Sequence, residues 1–302
     1  QVRAQYYFII DELESIKDDL PVTASALGKV TNGAARAFLA KAYLYRADIC
    51  KNAADYENAY QTAYTLYTEA DGSTYALEGH YQDLFDIYGE THENSKEILF
   101  SIQFMSGTIY NRGGNGSIRC LYVAPRHYYY YDDLGKGNDI QVSDNGYGFA
   151  IPTQDLIDEF EKGDARASMI VAAPQSGDSK IDAAINNLGL DTAVWTRIPS
   201  LSTDDKWYSI GKHECNTGYY NMKQSQVNVV LRDPNTQVAG KDYVMLRWAD
   251  VMLIAAEAGV QSGHTTEATK LINKLRERAR NSARTIDYKV AGSSDACYRS
   301  EE

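Results

Sequence analysis

A run of tyrosines followed by two carboxylates is the part of the sequence best suited to binding a ligand. Tyr128–Tyr131 precede Asp132 and Asp133, within a segment rich in Gly, Asn, Asp and Tyr. Aromatic faces stack on the apolar C–H face of a sugar ring, and short polar groups bind its hydroxyls. The pattern therefore favours a saccharide-binding surface. The candidate ligand-binding residues are Tyr128, Tyr129, Tyr130, Trp195, Trp207, Arg112, Asp132 and Asn145.

Packing beneath a loop is the alternative role for these aromatic side chains. Four consecutive tyrosines cannot all face one way, so at least one is expected to pack inward. For Trp195 and Trp207, core packing and ligand stacking are equally compatible with the sequence. Both roles stay open from the sequence alone.

No catalytic arrangement accompanies the aromatic residues. The 5 histidines are isolated, and HExxH, GxSxG and phosphate-binding glycine motifs are all absent from the sequence. The 4 cysteines lack metal-ligand spacing. We therefore predict a protein that is not an enzyme and uses no metal or cofactor. Four acidic residues near one short helical pattern are interpreted as a solvated face: Asp155, Asp158, Glu159 and Glu161.

The composition narrows the range of partners. The chain has 302 residues, a net charge of −11 and a pI of about 5.0. Such an acidic surface repels the phosphates of nucleic acids, so a nucleic-acid partner is not expected. The sequence has no run of about 18 apolar residues, and no transmembrane helix is predicted.

Two helical pairs are predicted to bracket the sequence, at about 33–70 and about 243–281. Apolar residues spaced by three and four positions, many of them Ala or Tyr, define both pairs. The first pair resembles one tetratricopeptide unit of about 34 residues, and the second resembles a tetratricopeptide half-repeat. Residues 97–104 are predicted to form a buried strand or extended segment.

The middle of the chain is predicted to be irregular. Segments 107–148 and 191–225 lack a helical period, and long loops in a compact domain are normally functional. We predict one mainly α-helical domain over residues 1–302, with a loop-rich ligand region at about 107–225.

Four motifs, in order along the chain, resemble those of the SusD/RagB family. GKVTNGAARAFLAKAYLY at 28–45 is similar to the family's GRVTKGAAxALLAKxYLY. The stretch 152–160, followed by DAR at 164–166, resembles PxxxLxxxF with a trailing DxR. LRWADVMLIAAEA at 246–258 and INKLRERA at 272–279 resemble LRYADVLLMYAEA and INxVRxRA. The first and third motifs are interpreted as helix-packing sequences.

The resemblance implies a tetratricopeptide-like scaffold that carries a looped ligand-binding region. It also implies a non-enzymatic lipoprotein on the outer-membrane surface of a Bacteroidetes-like bacterium. Such proteins capture oligosaccharides, and in some cases peptides, for a SusC-like TonB-dependent transporter. Members usually have a lipidated cysteine and further helices before the first motif, and they continue past the fourth. The chain is therefore expected to be the middle of a longer protein.

The sequence leaves open an alternative function and the structural role of one charged pair. A tetratricopeptide protein-interaction scaffold without a small ligand is the main alternative function, and a glycan-active enzyme is disfavoured by the lack of an acid–base arrangement. Arg247 and Asp250 are interpreted as an internal ion pair or a helix cap, not as ligand contacts.

Removing a stacking ring from the candidate site should weaken glycan binding by about 1–3 kcal/mol, by analogy with base stacking. This corresponds to a tenfold to hundredfold loss of affinity, roughly. The melting temperature should not change, because loop side chains contribute little to a helical core. Unchanged binding in all five variants would contradict the site, and a large fall in melting temperature would indicate packing. The variants are single alanine substitutions of Tyr128, Tyr129, Tyr130, Trp195 and Trp207.

Overall fold

Helices dominate the computed structural model, as the sequence predicts. The model describes residues 2–85, 95–104, 119–123, 129–131, 139–141, 149–150, 152–161, 164, 166–167, 223, 242–282, 286–287 and 298–299. The helices are α1 (Val2–Ile16), α2 (Asn32–Cys50), α3 (Ala54–Ala70), α4 (Arg119–Val123), α5 (Gln154–Asp158), α6 (Trp248–Ser262) and α7 (Thr265–Asn281). The strands are β1 (Ile98–Ile102), β2 (Tyr129–Tyr131), β3 (Asp139–Gln141), β4 (Tyr243–Arg247), β5 (Ile286–Asp287) and β6 (Tyr298–Arg299). No helix in this described part is long and apolar enough to cross a membrane.

The chain divides into two compact units, each built from three separate segments. Unit 1 comprises Gln1–Gly79, Glu93–Gln103 and Asp242–Arg278. Unit 2 comprises His80–His92, Phe104–Lys241 and Ala279–Glu302. A single domain over residues 1–302 stays a prediction.

The first predicted helical pair is confirmed by α2 and α3. Thr31 has an extended backbone, and its Oγ1 accepts a hydrogen bond of 3.2 Å from the N–H of Ala34. This contact satisfies one of the free N–H groups at the start of α2. The helix ends at Lys51, which adopts a left-handed conformation with a φ of 55°. The chain then turns directly into α3.

The second predicted pair is confirmed by α6 and α7, but its predicted start near residue 243 is wrong. Residues 243–247 form β4, which pairs antiparallel with β1 so that Ile98 lies opposite Arg247 and Ile102 opposite Tyr243. The apolar spacing predicts a helix there, but the backbone of residues 243–247 forms its hydrogen bonds with the distant strand β1 instead of within a helix. The strand predicted at 97–104 is confirmed by β1.

The core of unit 1 lies between α2, α3, α6 and α7. Small side chains allow these helices to approach closely: the buried alanines include Ala37, Ala40, Ala59, Ala63, Ala255 and Ala268. The fully buried Trp248 stacks on Tyr67 and Tyr75, with ring centroids 6.1 and 5.0 Å away. Its indole N–H donates to Asp71 Oδ1 at 2.9 Å. Several tyrosines therefore pack between helices, as their amphipathic rings allow.

Glu97 is a buried carboxylate that joins distant parts of unit 1. It is 0% exposed, and its Oε1 accepts a 2.9 Å hydrogen bond from Arg247 Nη1. Its Oε2 accepts from Arg278 Nη1 at 2.7 Å and from the N–H of Glu78 at 2.7 Å. Two charge-assisted bonds and a backbone donor thus compensate the cost of burying this charge.

The start of α6 is fixed by the same cluster. The N–H of Arg247 donates to Asp250 Oδ2 at 2.8 Å, and the N–H of Trp248 donates to Glu97 O at 2.7 Å. Asp250 therefore caps the helix, as predicted. Arg247 also pairs with Glu97, which the sequence did not indicate.

Unit 2 contains short elements in the described residues. β2 pairs with β3, and β5 pairs with β6. Residues 107–148 were predicted to lack regular structure, and this prediction is wrong at α4, β2 and β3. In the DxR motif, the buried Asp164 accepts two hydrogen bonds from Arg166 Nε and Nη2, and this contact raises the pKa of the arginine above its ordinary value.

The Glu97→Gln variant should lose about 3–5 kcal/mol of unfolding free energy, because it leaves two arginines without their buried counter-charge. Glu257→Gln is the matched control, since Glu257 is exposed on α6; its change should stay within about 0.5 kcal/mol. Urea denaturation of both variants measures the difference. Equal stabilities would contradict the central role of Glu97.

Acid should weaken the α2–α3 hairpin through Asp55. Burial alone would raise the pKa of Asp55, but hydrogen bonds from Arg46, at 2.6 and 2.7 Å, and from two asparagines lower it below its ordinary value. A carboxylate with a lowered folded-state pKa stabilises the fold above its unfolded pKa of about 3.9 and loses that contribution as the pH falls through the folded value. Its contribution is therefore complete at neutral pH.

Asp55→Asn should consequently be less stable than the wild type at pH 7, and the difference should shrink as the pH falls below about 4. Thermal melts between neutral and acidic pH measure it. Asp48→Asn, at an exposed position of α2, should show no such pH-dependent difference. A gap for Asp55→Asn that stays constant with pH would show that the ion pair does not contribute in this way.

Candidate ligand-binding site

The structure positions two of the predicted ligand-binding tyrosines on a strand. Tyr129 and Tyr130 belong to β2, where they lie opposite Gln141 and Ile140 of β3. The site therefore stays a prediction, because the remaining candidates lie outside the described residues: Tyr128, Arg112, Asp132, Asn145, Trp195 and Trp207.

An exposed pair of aromatic rings lies in the same unit. Tyr122, from α4, and Phe149 stack with their ring centroids 5.9 Å apart and their planes inclined by 19°. Tyr122 is 42% exposed and Phe149 is 58% exposed. Stacked rings that pack in a core are normally buried, so this pair presents an accessible, nearly parallel aromatic surface.

The backbone holds the two rings together. The N–H of Phe149 donates to the carbonyl oxygen of Tyr122 at 2.7 Å. The next residue, Ala150, adopts a left-handed conformation with a φ of 55°. This conformation costs a non-glycine residue about 1–2 kcal/mol, and such strain concentrates at functional sites. The turn at Ala150 thus fixes the chain where Phe149 meets Tyr122.

A charged donor accompanies the rings. Arg119 is exposed and precedes Tyr122 by three residues in α4, so both lie on one side of that helix. Its guanidinium carries five N–H donors, which suit hydroxyl or carboxylate oxygens. The arrangement can stack on an apolar ring face and donate hydrogen bonds to its edge.

Acidic and metal-ligating side chains are scattered among the described residues. These residues contain no group of three or more His, Cys, Asp or Glu side chains that could hold a metal ion. The acidic residues near α5 are exposed, as predicted for a solvated face: Asp155, Asp158, Glu159 and Glu161.

Tyr122 and Phe149 are not among the ligand-binding residues predicted from the sequence. Tyr122 lies inside the predicted irregular segment 107–148, and Phe149 follows it immediately. A usable signal was therefore present: one aromatic residue lies within this segment, and the other lies immediately after it. Their contact spans 27 residues of chain, and no local pattern specifies such a pairing.

Comparison with known proteins identifies the relatives of this chain. A sequence model of the SusD family matches residues 96–296. SusD-like protein P2 from Formosa agariphila is 26% identical over 276 residues, which are 91% of this chain and 46% of that protein. The chain therefore spans about half the length of the curated relative it matches.

Solved structures share the fold of the chain. Surface glycan-binding protein A from Bacteroides thetaiotaomicron, in complex with laminarihexaose, matches with a TM-score of 0.63 at 18% identity, over 91% of this chain and 54% of its own. A laminarin-binding SusD-like protein matches with a TM-score of 0.64 at 20% identity, over 94% of this chain and 55% of its own. At these identities the likeness establishes the fold.

Proposed function

Since this chain belongs to the SusD family, we propose that it is a non-catalytic protein that binds oligosaccharides. The family match covers residues 96–296, which include α4, Phe149 and the predicted ligand region. Two of the structures that share its fold are named for glycan ligands, laminarihexaose and laminarin. They support an oligosaccharide as the class of ligand.

One observation carries the proposal: the exposed stack of Tyr122 on Phe149. The C–H face of a pyranose ring is apolar and flat, and its rim carries hydroxyls. Two nearly parallel exposed rings offer the flat surface, and Arg119 offers donors beside it. Cleavage of a glycosidic bond normally needs a pair of carboxylates, and neither ring carries one. Binding without cleavage is therefore the function that this surface supports best.

The proposed setting is the bacterial outer-membrane surface. As a SusD-family protein, the full-length molecule is proposed to be lipid-anchored there and to deliver oligosaccharides to a SusC-like TonB-dependent transporter. A peptide ligand, as for RagB-like importer subunits, is the alternative for the same pathway. The exposed aromatic pair favours the saccharide, because sugar rings match its flat surface better than an extended peptide does.

Alanine substitution of Phe149 or Tyr122 should lower glycan affinity about tenfold to hundredfold, because each removes one stacking ring. Affinity electrophoresis against laminarin and a panel of other polysaccharides measures binding, and thermal melting measures folding. Tyr45→Ala is the control, since Tyr45 is also exposed, at 46%, but lies on α2 in unit 1. The melting temperatures should change little in all three variants, because the side chains are exposed.

The outcomes separate the function from the site. A wild-type chain that no polysaccharide retards would contradict glycan binding. Retardation that both ring variants retain would preserve the function and refute the aromatic pair as its site. Release of reducing sugar from any retained polysaccharide would overturn the non-catalytic assignment.

A further inference from the structure

A groove in unit 1 shares no residue with the aromatic site. Its volume is about 740 Å³, and it is lined by residues 22–29 and 31, 73–75, 95–96 and 98–101. Ligand sites typically have volumes of about 300–1,000 Å³. The groove therefore has the size of a binding site, and every residue of its lining belongs to unit 1.

The floor of the groove is rigid and apolar. Tyr75 and Leu99 are buried there, and Tyr75 Oη lies 3.2 Å from Thr31 Oγ1 in a hydrogen bond. Thr31 also caps α2, so the floor is tied to the helical core. Gly33 leaves room for the ring of Tyr75, since a Cβ atom at this glycine would lie 2.3 Å from Tyr75 Oη.

The wall of the groove has a defined shape. Gly28 has a φ of 75°, a conformation that favours glycine, and a Cβ atom there would lie 2.8 Å from Gln103 Cγ. The loop thus closes against Gln103, which in turn donates to Ser101 Oγ at 2.8 Å. Gly28 therefore fits this close approach, and the hydrogen bond to Ser101 holds the Gln103 side chain in place.

The charged side chains in the lining of the groove are positive. Its lining contains Lys29 and Lys96 and no aspartate or glutamate, although the chain carries a net charge of −11. Lys96 Nζ donates to the carbonyl oxygen of Ser73 at 3.0 Å. One carboxylate touches the lining from outside, since Ser95 Oγ donates to Glu78 Oε1.

Hydroxyl groups without a hydrogen-bond partner in the described residues line the groove together with the two lysines. Within the described part of the chain, the side chains of Thr23, Ser25, Thr74 and Lys29 have no hydrogen-bond or ion-pair partner. Hydroxyls donate and accept, and an ammonium group only donates. The combination matches a ligand that has many hydroxyls of its own and carries negative charge.

We propose that this groove is a second binding site, selective for acidic oligosaccharides that carry uronate carboxylates. The lysines would pair with the carboxylates, the free hydroxyls with the sugar hydroxyls, and the apolar floor with a ring face. An acidic peptide would use the lysines equally well, and its backbone would bond to the hydroxyls, but it lacks the flat C–H face that a sugar ring presents to the apolar floor. The inference goes beyond the proposed function, because it rests on other residues and adds a charge requirement.

Binding of three probes by the 302-residue chain tests the proposal: tetragalacturonate, the neutral maltotetraose, and a tetraglutamate peptide. Calorimetry should show tetragalacturonate to be the tightest of the three. The double variant Lys29→Gln/Lys96→Gln should bind it about tenfold more weakly, as expected for the loss of two exposed ion pairs. Raising the salt from roughly 0.05 M to 0.5 M should weaken wild-type binding, because exposed charges are screened.

Control variants separate a loss of affinity at the groove from effects on the aromatic site or on folding. Lys29→Gln alone breaks no contact of the described structure and should reduce affinity while leaving the melting temperature unchanged. Lys270→Gln, at an exposed position of α7, should change neither. In a Phe149→Ala background the double lysine substitution should still weaken tetragalacturonate binding about tenfold, which separates the second site from the aromatic one.

Three results would overturn the second site. They are equal affinity for tetragalacturonate and maltotetraose, equal affinity for tetragalacturonate and tetraglutamate, and unchanged tetragalacturonate affinity in the double lysine variant. Failure of the aromatic site would appear differently, as absent retardation of the wild-type chain by neutral polysaccharides while the lysine-dependent binding of tetragalacturonate persists.

Discussion

The buried charge of Glu97 is the constraint on which the arrangement of unit 1 depends. Its carboxylate pairs with arginines that lie 150 and 181 residues further along the chain. A buried carboxylate is tolerated only when it is paired, so β1, the junction of β4 with α6, and α7 must come together in one geometry. The stacking of Trp248 between Tyr67 and Tyr75 and the capping of α6 then follow from where Arg247 is held. Apolar packing supplies the stability, and this charge cluster specifies which segments meet.

The local parts of this architecture are predictable from the sequence, because their causes lie within a few residues. Thr31 caps α2, and alanines at helical spacing define the faces that pack. β4 was not predicted, because its partner β1 lies far away in the chain. The short YVMLR stretch also continues directly into the helical spacing of α6. The role of Arg247 was only half predicted for the same reason: its cap partner Asp250 is local, whereas its charge partner Glu97 is remote. Tyr122 and Phe149 likewise meet only through a backbone turn at Ala150, which no spacing rule indicates.

Scaffold and binding surface have different physical requirements in this protein. The motifs shared with the SusD family lie largely in α2, α6 and α7, where close helix contact tolerates few side chains. The aromatic pair depends on a short helix and a strained residue, which can change without disturbing the helical core. This separation explains why the family relationship follows from the sequence while the identity of the ligand does not.

The three-segment construction of unit 1 also has a consequence for the order of events during synthesis. α2 and α3 leave the ribosome before α6 and α7, which complete their apolar faces and arrive more than 170 residues later, roughly ten seconds or more at normal elongation rates. Contacts between such distant segments form slowly because the loop between them must close first. We expect the nascent helices to expose apolar surface during that interval and therefore to need a holding chaperone, a demand that a chain with only neighbouring contacts would not make.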